Sequence, residues 1–304
     1  MTKITVVTVN FNSEEETHNL LASLAKVSQK DFSLSIIVVD NASKSPFVLL
    51  ESEKKQKISF YHTEKNLGFT GGYNFGIQKA LEKKADYVVI LNNDTLVDNN
   101  LISEFVEVFK NNSNVGIVVP KIYFAKNHEF HKDKYKETER GKVLWYAGGF
   151  MDWKNVFSRH RGVDEVDSGQ YDKVEQIDFA TGCCMCIPRN VLEKVGIFDN
   201  LLYLYFEDAD LSQRVLHAGF SIVYQPNAVI WHLNAASGGG SGSFLHDYYL
   251  TRNRMIFGMR YAPLRSKIAL LRESVRLLFN GRKWQRKGIQ DFYLRKFGRG
   301  SFAL

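Results

Sequence analysis

Through the first 120 residues, short apolar runs alternate with amphipathic stretches. Residues 4–9, 34–39, 58–61, 87–91 and 115–119 are apolar, several of them β-branched nearly throughout, as strands buried on both faces should be. Between them, Leu101, Ile102, Phe105, Val106 and Phe109 fall on one face of a helix. Ser13 with Glu16 three residues on has capping-box spacing, which predicts a helix start there. Strand, helix, strand, helix implies an α/β fold with a mostly parallel central sheet, flanked by helices and joined by right-handed crossovers. On such a sheet, ligands bind outside the carboxyl ends of the strands.

The rhythm breaks over 123–175, which reads as a mobile insertion on the acceptor side with an extra hairpin. Its aromatic and glycine cluster runs from Trp145 to Trp153. An apolar run over 177–187 restores the core, a helix follows Glu207, and a strand pair is expected at 221–224 and 228–231. Ser237 to Ser243 reads Ser-Gly-Gly-Gly-Ser-Gly-Ser, a flexible connector by composition, so 233–247 is a lid candidate. Residues 1–257 are read as the catalytic domain and 258–304 as a basic, amphipathic helical extension.

Charge sharpens this division. The 304 residues carry 40 Lys and Arg against 33 Asp and Glu. Residues 252–304 hold 14 of the basic groups and only Glu273 and Asp291, a net +12, leaving −5 for the rest. A net negative body offers a phosphate backbone no broad footprint, which argues against nucleic acid as its partner. Cys183, Cys184 and Cys186 sit in one apolar run with neither zinc-ligand nor disulfide spacing, and read as small buried hydrophobes in a reducing compartment. With no signal-peptide pattern and no long apolar run, the reading is a cytoplasmic protein.

The candidate chemistry lies at the strand ends. Asn10-Phe-Asn12 follows the first strand, Asp40-Asn-Ala-Ser43 the second and Asn92-Asn-Asp-Thr95 the fourth. Each is good turn chemistry taken alone, and three at one sheet edge point to a site. Asn66-Leu-Gly-Phe-Thr-Gly-Gly72 opens a helix, where glycines let backbone amides approach a phosphate. Asp94 and His232 each end an apolar run. Mg²⁺ or Mn²⁺ on a diphosphate needs only one or two protein ligands, and an Asp with a His suits Mn²⁺ at least as well as Mg²⁺. Glu207 and Asp208 open a helix, where acids favour the macrodipole, or where one serves as a general base.

These stretches, with Thr181-Gly182, Ile230-Trp-His232 and Tyr249-Leu-Thr-Arg-Asn-Arg254, run in one order over residues 3–257. In that order the sequence resembles inverting glycosyltransferases of family 2 with the Rossmann-like GT-A fold, in the rhamnosyltransferase-like and galactofuranosyltransferase-like branch. The resemblance implies a nucleoside-diphosphate sugar donor, dTDP-L-rhamnose above UDP-sugars. Asp40 would then read the base, with Thr8 and Asn10 lining the nucleoside site. Asn66, Gly68, Gly72, Asn74 and Asn93 would belong to the donor pocket. Asp94 stands in the metal motif, where Asn92 replaces the usual first Asp, so His232 gains weight as the second ligand of Mn²⁺ or Mg²⁺. Asp208, beside Glu207, matches the catalytic base. Thr181, Gly182, Trp145, Arg252 and Arg254 fall to the sugar, acceptor or a diphosphate.

On the extension, Ile268, Leu271, Val275, Leu278 and Phe279 share a face, with Arg272 and Arg276 elsewhere on the wheel. A basic amphipathic helix can lie on an anionic membrane or dock on its own domain. The resemblance favours the membrane, since acceptors in the family are often polyprenyl-diphosphate-linked saccharides at the inner leaflet. Two other classes were weighed. A nicotinamide-dependent oxidoreductase lacks the Gly-X-Gly-X-X-Gly expected after the first strand, and a nucleic-acid binder would have only the tail to use.

Overall fold

The computed structural model describes residues 1–29, 31–233 and 242–302. The strands are β1 (Thr2–Asn10), β2 (Phe32–Asp40), β3 (Ile58–His62), β4 (Tyr87–Leu91), β5 (Thr95–Val97), β6 (Val115–Phe124), β7 (Leu144–Tyr146), β8 (Gly149–Asp152), β9 (Phe157–His160), β10 (Glu175–Ile177), β11 (Cys184–Pro188) and β12 (Ser221–His232). The helices are α1 (Glu14–Leu24), α2 (Gly68–Glu82), α3 (Leu101–Asn111), α4 (Arg189–Val195), α5 (Glu207–His217), α6 (Phe244–Tyr261), α7 (Leu264–Asn280) and α8 (Lys283–Tyr293). One sheet runs β10-β12-β6-β11-β4-β1-β2-β3, with β5 on β12 and β7 on β6.

The expected α/β architecture is present. β1, β2, β3 and β4 are mutually parallel, and β6 and β12 run with them. β11 runs against both β4 and β6 and fills the gap between them. Its three cysteines are buried and free, as small core residues. The five-residue apolar face predicted on α3 is buried in full.

Three local expectations change. Ser13 does begin α1, but its side chain makes no cap. Its hydroxyl donates to Phe11 O and accepts from Asn93 Nδ2 instead, because the chain at the sheet edge needs it there. The strand pair at 221–224 and 228–231 is the single strand β12. A bulge between Gln225 and Val229 breaks its ladder with β6 and mimics a turn in the sequence. The 123–175 segment does carry a hairpin, β8–β9, but β7 and β10 also tie it to the main sheet. Buried Lys121 pairs there with Asp167 and Asp172.

The boundary expected at 257/258 falls inside α6, which is continuous from Phe244 to Tyr261. The tail therefore begins as part of the body. Most of the lid candidate, residues 234–241, lies outside the described residues, and its far end is the first turn of α6. Among the described residues no helix is long and apolar enough to cross a membrane.

Candidate active site

Parallel pairing sets Asn10 beside Asp40, and Asp40 beside His62, at one sheet edge. The Asp40 carboxylate is wholly buried. Oδ1 accepts from Asn10 Nδ2 at 3.0 Å and from Ser43 Oγ, and Oδ2 lies 2.9 Å from His62 Nδ1. Burial alone would raise its pKa. The hydrogen bonds from Ser43, His62 and Asn10 prevail and hold it below the ordinary range. This alters the expectation for the nucleoside site. Asp40 has both oxygens engaged, and it is not among the residues that line the neighbouring cavity. Thr8 is buried too, with its hydroxyl unpartnered. The neighbours Val9 and Asn41 are the residues that line the cavity.

That cavity holds about 420 Å³, within the range of a small-molecule site. Asn66, Gly68, Asn92, Asn93 and Asp94 line it, with Phe69, Tyr203, Tyr249, Arg299 and Phe302. Asn66 Oδ1 accepts from Gly68 N at 2.8 Å and from Asn41 Nδ2 at 3.2 Å, bracing the entrance of α2. Gly68 has φ +74°, and a Cβ there would lie 2.6 Å from the Tyr203 ring. Gly72 and Asn74 do not reach the cavity. A Cβ on Gly72 would meet Val9 and Asn41 at 3.1 and 3.2 Å, so this glycine serves helix-on-sheet packing. Asn74 bonds Phe198 N and O and Asn200, a structural clamp.

His232 lies 138 residues from Asp94 in sequence, yet β12 pairs with β5 so that His232 opposes Thr95. Its Nε2 comes 3.4 Å from Asp94 Oδ1. Two ligands of one small divalent cation sit on the order of 3 Å apart. His232 Nδ1 is buried without a hydrogen-bond partner, leaving polar capacity unspent. Among the described residues no three His, Cys, Asp or Glu side chains gather at one point. A cation here would therefore take its remaining ligands from phosphate and water, which fits Mg²⁺ and Mn²⁺. Trp145 packs over His232 with ring centroids 4.7 Å apart and over His160 at 4.5 Å. Desolvation pushes His160 down to about 4, so it is neutral beneath the indole.

Asp208 is not among the residues that line the cavity; its Oδ2 accepts from Gly182 N at 3.0 Å and Oδ1 from Ala209 N at 2.8 Å. A Cβ on Gly182 would lie 3.1 Å from Phe69 Cζ and 3.6 Å from Asp208 Oδ2, so this glycine is flanked by the carboxylate and by a ring that lines the cavity. Thr181 is buried and its hydroxyl accepts from Cys183 N, which places Thr181 behind Gly182 as support. Desolvation raises Asp208, while the amides of Gly182 and Ala209 restrain the rise. Glu207 is pushed well above its ordinary value by burial and then by the Asp208 charge, with Oε2 unpartnered. Both carboxyls are thus raised, Glu207 the further, and Asp208 is the one whose two oxygens accept the amides of Gly182 and Ala209. Asp210 has a third role, binding Arg214, Arg260 and Tyr261 to fasten α5 to α6.

The loop into α5 is strained, with Tyr203, Tyr205 and Phe206 all at positive φ. Buried Asn253 holds it: Nδ2 donates to Leu202 O, Leu204 O and Tyr205 O at 2.7 to 2.9 Å. Arg252 is fully buried, bonded to the carbonyls of Leu202 and Lys296 and stacked on Tyr248 and Tyr249. It cannot meet a substrate diphosphate, and that expectation is corrected. Arg254 bonds Glu273 and Asn155 O and lines a separate groove. The sequence reading missed Asn253, though it stood inside a quoted motif between two arginines. It also missed His160 and Arg299, for which the sequence carries no local signal.

The profile of Glycosyl transferase family 2 matches residues 5–196. A hexosyltransferase of low-salt glycan biosynthesis, Agl10 of Haloferax volcanii, is 24% identical over 72% of this chain; the chain spans 63% of that relative's length. The N-acetylglucosaminyl-diphospho-decaprenol L-rhamnosyltransferase of Mycobacterium tuberculosis is 22% identical over 77% of each chain. Among solved structures, GalNAc-T7 with UDP, GalNAc and Mn²⁺ superposes with a TM-score of 0.63 at 15% identity, covering 90% of this chain and 55% of the other.

Proposed function

The chain belongs to glycosyl transferase family 2, a glycosyltransferase of GT-A fold acting on sugar donors, and on that premise we propose that it moves L-rhamnose from dTDP-L-rhamnose to a saccharide hydroxyl with inversion. The observation that carries the mechanism is the Asp208–Gly182 contact behind Phe69. It holds an ionisable carboxylate on Gly182, the glycine next to the Phe69 ring that lines the same cavity as Asp94. Asp208 takes the proton from the acceptor hydroxyl, and that oxygen attacks the anomeric carbon as the bond to the diphosphate breaks. One displacement inverts the centre without a covalent sugar intermediate. Gly182 N–H and Ala209 N–H orient the carboxylate, and Asn253 fixes the loop that delivers it. Asp94 and His232 are the residues that would hold a divalent cation, whose chemistry there is neutralisation of charge on the departing diphosphate. In this reading Asp40 orders the sheet edge under the nucleoside and leaves direct contact to Val9 and Asn41.

The name of the mycobacterial relative supports the rhamnosyl donor and a polyprenyl-diphosphate-linked acceptor. For the acceptor side, a groove of about 780 Å³ lies between β9 and the tail helices, lined by Arg159, Arg254, Arg272 and Arg276. Beside it, α7 exposes Leu264, Ile268, Leu271, Val275 and Phe279 as one stripe, while Leu278 turns inward. Basic groups flanking an exposed apolar stripe suit an anionic membrane surface. A panel of dTDP-rhamnose, UDP-galactofuranose and UDP-hexoses, read by diphosphate release in Mn²⁺, Mg²⁺ and chelator, tests the donor. Turnover confined to a UDP-sugar would overturn the rhamnosyl assignment.

A further inference from the structure

The last described turn of the chain forms part of the cavity assigned above to the donor. Arg299 and Phe302 line it together with Asn93, Asp94 and Tyr203. Arg299 is the single cation among the lining residues and Asp94 the single carboxylate. The Arg299 guanidinium makes no ion pair and no side-chain hydrogen bond among the described residues. Three arginines of the tail are committed, Arg254 to Glu273, Arg260 to Asp199 and Asp210, and Arg282 to Asp247; of those left without a carboxylate partner among the described residues, Arg299 is the one that lines this cavity.

The segment is held there by buried groups. Gly298 N donates to Leu201 O at 2.8 Å, and Tyr249 Oη donates to Arg299 O at 3.0 Å. Ser301 N donates to the buried carboxylate of Asp291 at 2.8 Å, and Arg252 bonds Lys296 O. Gly300 has φ +61°, and a Cβ there would lie 2.0 Å from Tyr248 Oη and 2.6 Å from Arg252 Nη1. Only glycine lets the chain pass so close. Phe302 then seats on Tyr248, Tyr249 and Trp284. A solvated terminus would need none of this.

We propose that Arg299 is a donor-binding residue, supplied by the tail to contact the diphosphate of the nucleoside-diphosphate sugar. The inference rests on the donor reading above. A nucleoside diphosphate brings at least two negative charges, more than Asp94 and a divalent cation can balance. The Arg299 guanidinium, solvent-exposed where it lines this cavity, answers the remainder with charge-assisted hydrogen bonds. Departure of the diphosphate adds charge to the same oxygens, so the contact strengthens as the reaction proceeds.

Calorimetric titration of the full chain with dTDP, UDP and GDP, and with thymidine, uridine and guanosine, in Mn²⁺ is the test. In Arg299→Ala the diphosphate bound by the wild type should weaken about tenfold, the scale of one charge-assisted hydrogen bond. Its nucleoside should change by less than about twofold. Arg299→Lys should recover part of the loss, because it keeps the charge and loses the fork. Gly300→Ala, with Arg299 intact, should reproduce the selective loss by displacing the segment, with urea unfolding to establish that the variant is folded. Unchanged diphosphate affinity in Arg299→Ala, or an equal loss for diphosphate and nucleoside, would overturn the proposal. A wild-type chain that binds none of the three diphosphates would overturn the donor reading itself, and this proposal with it.

Discussion

The sheet edge and the C-terminal helices both border one cavity, and behind it each holds its buried polar side chains by different means. At the edge, Asn10, Asp40, Ser43 and His62 are brought together by the register of adjacent parallel strands and bond one another. In the tail, Arg252, Asn253 and Asp291 bond backbone carbonyls and a phenol 43 to 51 residues away. The first arrangement follows from strand pairing alone. The second costs the desolvation of an arginine and a carboxylate, and survives because nearly every donor and acceptor is matched. The comparison teaches that the basic tail is split by depth. Its inner arginines build the body, and its outer ones remain for ligands or a surface.

The largest effect should come from the point where the two regions meet. Asp208→Asn should lower kcat by 10²- to 10⁴-fold, the usual share of a general base, and leave dTDP affinity within about twofold. Initial rates and calorimetry check both halves; substantial turnover would remove Asp208 from the role. Within the edge, His232→Ala should weaken donor affinity about 10- to 100-fold in Mn²⁺ and little in chelator. An equal loss in both conditions would place His232 in packing rather than ligation. Within the tail, Asn253→Ala strands three loop carbonyls and should cost about 3 kcal/mol of stability by urea unfolding, with kcat falling further than KM rises. A loss under about 0.5 kcal/mol would mean the strained loop holds itself.

At the tail's outer surface, Phe279→Asp should reduce co-sedimentation with anionic vesicles several-fold while leaving the melting temperature unchanged. Point variants are required, because deleting residues 262–304 would also remove Asp291 and Arg299. Equal sedimentation of wild type and variant would return α7 to an ordinary solvated helix. The smallest effect concerns Glu207. Its folded pKa is raised by burial, so the folded chain holds the proton more tightly than the unfolded one. The stability tied to that proton is complete below the ordinary value of 4.5 and is lost as pH rises through the higher folded value. Glu207→Gln should therefore stabilise the protein by about 1 kcal/mol at pH 7, with the gain vanishing below pH 4 in urea titrations. The same raised range predicts that the acid limb of activity falls at a pH above the ordinary 3.8 of an aspartate.

Much of the donor edge could be read from the chain itself. Periodicity locates β1 to β4 and β6, and strand direction puts Asn10, Asp40 and Asn92 to Asp94 at one edge. The ordered motifs added Gly182, Asp208 and His232. Their contacts could not be read so directly. Asp40 looked like a base reader and is sealed in a network, because a strand-end carboxylate beside a histidine and a serine satisfies itself. Arg252 looked like a phosphate ligand and is the most deeply buried arginine of the tail.

The sequence by itself determined where the strands of the parallel half lie, the chemistry available at its edge and the family. Those features depend on neighbours a few residues apart and on pairing rules shared by all such sheets. Tertiary structure alone decided that Glu207 is raised further than Asp208, which arginines are walls and which are free, and that Arg299 and Phe302 of a +12 tail line the cavity. Each of those outcomes turns on burial and on partners far away in the chain, and composition carries no measure of either.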